Sequence, residues 1–184
     1  MIPELLPHSG SLPVGRYSSN LEDFERRFVR HPEFSSSETR SRIWNDFLSA
    51  LTLLKSALPV ASVWVAGSFT TSKIDPSDID CLFVVDISEI QKVTNDEPKA
   101  KVVQEFANAG SLKSVGLLVD NYFIAWHPVM VPAAQSEDER NYYRIRGYWD
   151  DWWQRSRQPD QMSISNAFPR RGYLEVIVDG FTEQ

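Results

Sequence analysis

The spacing of apolar residues in the first third of the chain predicts two amphipathic helices. We expect the first over about 20–30, where Ser19 and Glu22 have the spacing of a capping box. Its apolar stripe is formed by Leu21, Phe24 and Phe28. A serine run at 35–37 can cap the second helix. Its longer stripe predicts a helix that ends at Leu58, and it is formed by Ile43, Phe47, Leu51, Leu54 and Leu58.

The pattern then changes to that of buried strands. Residues 60–69 are rich in β-branched and aromatic side chains, and 79–85 form a nearly continuous apolar run with one acid inside it. The same reasoning predicts a third strand over 115–126 and a last strand over 173–178. Helices are expected between these strands, over about 97–109 and 137–157.

The first 18 residues contain three prolines and two glycines, and this density of helix and strand breakers predicts an extended arm over 1–18. The remaining residues, 19–184, are expected to form one domain. A chain of 184 residues, 42% of them hydrophobic and 24% charged, has the size and composition of a single globular unit.

Charge and cysteine content narrow the classes of function. With a net charge of -6, non-specific attraction to nucleic acid is not expected to drive function, so an anionic substrate has to be held locally. The single cysteine, Cys81, excludes an intrachain disulfide and a cysteine-based zinc cluster, in keeping with a cytoplasmic protein. The N-terminus lacks the pattern of a signal peptide, and the apolar runs are far too short to cross a membrane.

The segment between the first two predicted strands carries the candidate chemistry. Gly67 and Ser68 follow the first strand, nine residues form a polar loop, and Asp78 and Asp80 open the next strand. Because side chains alternate along a strand, both acids project from one face and can hold a divalent cation. The glycine lets a phosphate approach the backbone, and the serine hydroxyl can donate a hydrogen bond to it. The loop is therefore suited to a triphosphate.

A purely structural interpretation is that Gly67 and Ser68 make a turn and that Asp78 is a turn acid. That interpretation explains Asp80 poorly, because this acid precedes an apolar strand in which an unpaired carboxylate loses several kcal/mol of hydration. The order of strand, Gly-Ser, spacer, Asp-x-Asp and strand resembles the signature of the DNA polymerase β-like nucleotidyltransferase superfamily. Three features outside this motif look like a small bacterial family of uncharacterised nucleotidyltransferase-like proteins: the leading Leu12-Pro13-Val14-Gly15 arm, the two helices before the motif, and the late segment rich in tyrosine and tryptophan.

The resemblance implies an α/β (α+β) nucleotidyltransferase-like fold, with a mixed sheet flanked by helices. It also implies two Mg²⁺ (or Mn²⁺) ions, an NTP substrate and transfer of a nucleoside monophosphate to an acceptor. The superfamily pattern requires a third carboxylate on a later strand, and Asp120 is the candidate, although Asp120 and Asn121 are also a plausible turn pair. Catalysis and metal binding are thus assigned to Asp78, Asp80 and Asp120, and nucleotide binding to Gly67, Ser68 and Lys73. A loop lysine such as Lys73 is also commonly just solvated.

Two other functions fit the same residues. The chain can be a non-catalytic member of the fold that binds a protein partner, for example in a toxin-antitoxin or phage-defence pair, or a regulator that holds NTP without transferring it. The acceptor, whether RNA, protein or a small molecule, is not specified by the sequence. Residues 142–153 combine aromatic side chains with Arg144 and Arg146. We expect this segment to cover the sheet as an amphipathic helix, with a base-stacking platform as the alternative.

Overall fold

The computed structural model describes residues 2–129, 131, 133–156 and 168–181, and its strands form one mixed five-stranded sheet. The strands are β1 (Gly15–Asn20), β2 (Ser62–Ala66), β3 (Ile79–Asp86), β4 (Val119–Trp126) and β5 (Gly172–Ile177). Their order in the sheet is β1-β5-β2-β3-β4. β1 and β5 run parallel, β3 and β4 run parallel, and β2 runs antiparallel to both its neighbours. The predicted α/β (α+β) class is confirmed.

Six α-helices accompany the sheet in the described residues. They are α1 (Leu21–Phe28), α2 (Arg40–Lys55), α3 (Ile87–Val93), α4 (Glu97–Ala107), α5 (Ser111–Ser114) and α6 (Glu137–Trp153). Two short 3₁₀ helices cover Pro32–Phe34 and Ser68–Thr70. None of the helices in the described ranges has the length and apolar character that a bilayer crossing requires.

The sheet separates two hydrophobic cores. Alternate residues of β2 and β3, among them Val63, Val65, Ile79 and Phe83, pack with α1, α2 and α4 in the larger core. The residues between them, such as Trp64 and Leu82, face the smaller core under α6. Asp80 belongs to this second set, because it lies between two residues of the larger core on β3. The fold therefore places Asp80 on the sheet face that α6 covers.

Helix boundaries differ from the sequence prediction at several points. α1 begins at Leu21 with Asn20 as its N-cap, and the Asn20 side chain accepts a hydrogen bond from the Asp23 backbone N–H at 2.8 Å. The predicted capping box at Ser19 is therefore wrong. α2 ends at Lys55, before the predicted Leu58, because the apolar stripe continues past the helix into a buried turn.

A short helix between β3 and α4 was not predicted. Asp86 ends β3 and also caps α3, since its carboxylate accepts a hydrogen bond from the Ser88 backbone N–H at 2.8 Å. One residue thus closes the strand and begins the helix, and the apolar pattern of so short a helix is too brief to detect. The third predicted strand begins at Val119 rather than at Val115, because Val115 is the C-cap of the short helix α5 and residues 115–118 form the turn that leads into β4.

The prediction that residues 1–18 contain no regular element is wrong from Gly15 onward. β1 pairs in parallel with β5 at the edge of the sheet, with Gly15 opposite Gly172. Leu12, just before the strand, is completely buried in the larger core. The prolines of this segment and Gly10 all lie before the strand, which begins at Gly15. Residues 15–20 have only a weak local preference for a strand, and pairing with β5, more than 150 residues later, overrides it.

The aromatic segment forms α6 and covers the sheet, as predicted. Tyr142 and Trp153 are buried, and Trp149 packs against Tyr122 of β4 with ring centroids 4.4 Å apart. Ile145, an apolar residue of the same helix, lies beside this narrow stripe and is 45% exposed. α6 ends at Trp153 with Gln154 as its C-cap, so the helix is shorter than the predicted 137–157; residue 157 itself lies outside the described residues.

Candidate active site

Gly67, which follows β2, has a left-handed backbone conformation that residues with a side chain rarely adopt. Gly67 has φ +77°, and a Cβ built on it would lie 1.7 Å from Oδ2 of Asp80. A side chain at this position would therefore collide with the Asp80 carboxylate. The immediate structural reason for a glycine here is the close approach of the Asp80 side chain, and the expected approach of a phosphate to Gly67 stays a prediction.

The loop between β2 and β3 is held by a buried arginine of α2. Arg40 is 1% exposed, and all five of its guanidinium N–H groups donate to backbone carbonyl oxygens at 2.6–3.2 Å. Four of the carbonyls belong to this loop and one to the end of α1; the acceptors are Phe28, Phe69, Thr71, Lys73 and Ile74. The loop is thus fastened to the helices behind it, which fixes the backbone between Ser68 and Asp78.

The three predicted acids converge on one cleft. Asp80 on β3 and Asp120 on β4 are register partners in a parallel pair, so their side chains lie side by side on the same sheet face. Asp78 precedes β3 by one residue and lines the same cleft. Asp120 therefore lies within a strand, which rules out the turn interpretation of Asp120 and Asn121.

Asp80 is the electrostatically strained member of the group. Burial, followed by the negative charges of Asp78 and Asp120, raises its pKa to about 6, and Arg171 and Lys113 offset this only in part. Within the described residues the Asp80 carboxylate has neither a hydrogen bond nor an ion pair. A cation placed beside it would relieve both the repulsion and the lost hydration.

A lysine that the sequence analysis did not single out lies between the two outer acids. Nζ of Lys113 is 2.7 Å from Oδ2 of Asp78 and 2.9 Å from Oδ2 of Asp120. Burial works to lower the lysine pKa, but the hydrogen bonds and charges of these two acids outweigh it and raise the pKa above the ordinary lysine value. Lys113 is consequently a charged ammonium group at the site.

Asn121 positions the helix that carries this lysine. Its side chain is completely buried on the opposite face of β4 from Asp120. Oδ1 of Asn121 accepts a hydrogen bond from the Leu112 backbone N–H at 3.0 Å, and its amide donates to the carbonyls of Phe106 and Asn108. These bonds tie the end of α4 and the start of α5 to the strand. The neighbouring pair Asp120 and Asn121 thus acts on both faces of β4.

The acids line a cleft of about 650 Å³ that also contains groups suited to a nucleotide. Ser68 lies at the start of the loop, and the last turn of α6 supplies an aromatic wall. Two cationic residues, Arg155 and Arg171, lie on the lining of the same cleft. Burial and the charge of Asp120 raise the pKa of Tyr122, another lining residue, to about 12, so its hydroxyl stays protonated. The cleft thus combines an acidic region with a cationic and aromatic one.

The donor set fits a divalent cation at Asp78 and Asp80. Carboxylate oxygens are the ligands that Mg²⁺ prefers, and the unpaired, half-buried Asp80 gives such an ion a favourable place. No group of three or more His, Cys, Asp or Glu side chains in the described part of the chain is arranged around a metal position. Lys113 lies between Asp78 and Asp120, so the third acid is already paired with a cation of the chain itself.

The other predicted site residues are distributed unevenly. Ser68 lines the cleft. Lys73 is exposed and is not among the described residues that line the cleft; its backbone carbonyl accepts a hydrogen bond from Arg40. A phosphate contact by Lys73 stays a prediction. Arg144 pairs with Glu137, while Arg146 lies over the Trp64 ring, so both arginines of the proposed platform have partners within the chain.

The structure adds Lys113, Arg40 and Arg171 to the residues that shape the site, and none of them had a sequence signal of its own. Lys113 sits in a polar turn and resembles any solvated lysine, and Arg40 begins an ordinary amphipathic helix. Arg171 lies just before the last strand and likewise resembles a solvated arginine in the sequence. Long side chains reach across elements, and that reach depends on the tertiary arrangement.

Comparison with known proteins gives one family match. A model described as a family of unknown function (DUF6932) matches residues 3–177, which includes every element of the sheet. No curated protein and no solved structure matches the chain.

Proposed function

We propose that this chain, which belongs to the family of unknown function DUF6932, is a cytoplasmic nucleotidyltransferase that depends on a divalent cation. It moves a nucleoside monophosphate from an NTP to an acceptor hydroxyl on RNA, protein or a small molecule. The observation that carries the proposal is the convergence of Asp78, Asp80 and Asp120 on one cleft that begins with Gly67 and Ser68.

The residues of the cleft have distinct roles in this proposal. Asp78 and Asp80 hold Mg²⁺ or Mn²⁺, which when bound neutralises charge on the triphosphate. The Ser68 hydroxyl donates a hydrogen bond to a phosphate oxygen, and Arg155 and Arg171 supply positive charge on the same lining. Asp120 accepts the proton of the acceptor hydroxyl. The acceptor oxygen forms a bond to the α-phosphorus, the bond from that phosphorus to the bridging oxygen breaks, and pyrophosphate leaves.

An aromatic wall at the end of α6 supports a nucleotide as the ligand. Trp152 and Trp153 line the cleft together with Tyr122 of β4. A flat, partly exposed ring offers a stacking surface for a base, worth about 1–3 kcal/mol. The structure gives no preference among the four bases, so each has to be tried.

Calorimetric titration with ATP, GTP, CTP and UTP tests the binding half of the proposal. We expect at least one NTP to bind in the presence of Mg²⁺ or Mn²⁺, and binding to be lost in the double variant Asp78→Asn with Asp80→Asn. Asp138→Asn, which neutralises an exposed acid of α6, is the matched control and should bind like wild type. Absence of heat with every NTP and both cations would contradict the proposal.

The variant Asp120→Asn separates binding from transfer. The substitution removes the carboxylate that accepts the proton and leaves Asp78 and Asp80 in place. NTP affinity should therefore stay within about tenfold of wild type, or ~1.4 kcal/mol. Transfer of label from α-labelled NTP to a lysate acceptor should fall about a hundredfold or more, the scale of a lost general base. An unchanged transfer rate would show that Asp120 is not the base.

The ion pairs of Lys113 favour a second candidate, a member of the fold that holds NTP without transferring it and acts through a protein partner. An ammonium between Asp78 and Asp120 is a stable arrangement in a protein that performs no chemistry there. NTP binding together with no transfer of label to RNA, protein or small molecules in a lysate would support this candidate over the first.

A further inference from the structure

The ammonium of Lys113 occupies a position between two acids that the resemblance assigns to metal binding. It contacts one oxygen of Asp78 and one oxygen of Asp120 at hydrogen-bond distance. Both contacts are charge-assisted, and the lysine belongs to a helix that Asn121 ties to β4. The Lys113 ammonium is therefore a cation that belongs to the chain and is held in place by the fold.

A divalent cation and this ammonium compete for the same oxygens. An ion coordinated by Asp120 and Asp78 together would have to displace Lys113 and would then lie next to its positive charge, since α5 keeps the lysine nearby. The Asp80 carboxylate has no ion pair within the described residues, and Lys113 contacts only Oδ2 of Asp78, so a divalent cation can use Asp80 together with the other oxygen of Asp78. The three acids and the Lys113 ammonium by themselves carry a net charge of two negative units, which a single divalent cation balances; the positive charge of Arg171 lies nearby in addition.

We propose that Lys113 is a tethered cation that takes the place of one divalent ion, so that the site binds a single Mg²⁺ or Mn²⁺ on Asp78 and Asp80. Asp120 is then the ion-pair partner of Lys113 and not a metal ligand. This inference rests on the proposed function, because it assumes that the acid pair binds a cation. It departs from the two-ion site that the resemblance implies.

Counting bound Mn²⁺ tests the proposal without measuring activity. Free Mn²⁺ is followed by electron paramagnetic resonance during titration of the purified chain, with and without ATP. Wild type should bind one Mn²⁺ per chain at the site. Lys113→Met removes the charge while keeping the aliphatic stem, so it should bind two. Lys113→Arg keeps a positive charge and is the matched control, with one Mn²⁺ expected.

Asp120→Asn provides a second, independent variant in case Lys113→Met does not fold, which circular dichroism and a thermal melt would reveal. It should keep one Mn²⁺ with an affinity within about tenfold of wild type, the shift expected from losing a neighbouring charge rather than a ligand. Two Mn²⁺ per wild-type chain, a single Mn²⁺ in folded Lys113→Met, or loss of binding in Asp120→Asn would overturn the inference. No Mn²⁺ in any protein would instead overturn the proposed function.

Discussion

The carboxylate of Asp80 lies in a buried strand beside Asp78 and Asp120, and its pKa is raised to about 6. A raised pKa means that the folded chain holds the proton of this group more tightly than the unfolded chain. The contribution of Asp80 to stability is therefore fully present below about pH 4 and is lost as the pH rises through 6. In the absence of metal, ionised Asp80 opposes folding at neutral pH.

We expect the Asp80→Asn variant to be more stable than wild type at pH 8 in EDTA. Near pH 4 the two proteins should have about the same stability. A shift of roughly two pKa units corresponds to about 3 kcal/mol, gained progressively between these pH values because asparagine does not ionise. Urea unfolding of both proteins at each pH measures the difference. The exposed-acid control Asp138→Asn should change by less than about 0.5 kcal/mol, and a pH-independent difference for Asp80→Asn would contradict the assignment.

Asp80 and Lys113 show what could be predicted for single residues. The importance of Asp80 follows from its sequence neighbours, because an acid beside a continuous apolar strand has to be explained by a partner or a ligand. Lys113 has polar neighbours and gives no such signal. Its role arises only where α5 approaches the ends of β3 and β4, about 35 residues along the chain from Asp78.

Arg40 of α2 holds the loop after β2 against this helix. The guanidinium is buried against the Phe34 ring, 3.7 Å from its centroid, and uses every N–H on a backbone carbonyl. Burial lowers the pKa of Arg40 to about 10, and it remains charged at neutral pH. The amphipathic pattern predicted α2 but not this contact, since the arginine at its first turn is indistinguishable from a solvated one.

Arg40→Met should destabilise the protein by about 3–5 kcal/mol, because several buried carbonyl groups lose their hydrogen bonds at once. Arg42→Met, at an exposed position two residues later, should cost less than about 0.5 kcal/mol and serves as the control. Chemical denaturation measures both values. Equal stabilities for the two variants would show that the loop is held by other contacts.

For the molecule as a whole, the N-terminal segment is part of the fold rather than an appendage. Leu12 is completely buried, and its carbonyl accepts a hydrogen bond from the Gly172 backbone N–H at 2.9 Å. The Gly10 carbonyl accepts a hydrogen bond from the Ser72 backbone N–H in the site loop at 2.8 Å, and Ser11 lines the cleft. The segment therefore contributes to both the sheet and the candidate site.

Leu12→Ala should reduce the free energy of unfolding by about 2–5 kcal/mol, the range for truncating a fully buried leucine. Val14→Ala, two residues later, is the matched control, since Val14 is 50% exposed and should change stability by less than about 0.5 kcal/mol. Urea titration distinguishes the two. Similar midpoints for both variants and wild type would mean that residues before Gly15 do behave as a separate arm.

The sequence by itself determined the elements with a clear period and the placement of Asp78 and Asp80 at the start of β3, because hydrophobic periodicity and side-chain alternation are local properties. Only the tertiary structure decided that Asp120 stands beside Asp80, that Lys113 bridges Asp78 and Asp120, and that β1 joins the sheet. Each of these contacts depends on which strands pair and in what register. Pairing between distant segments depends on burying the whole core, and no local pattern encodes it.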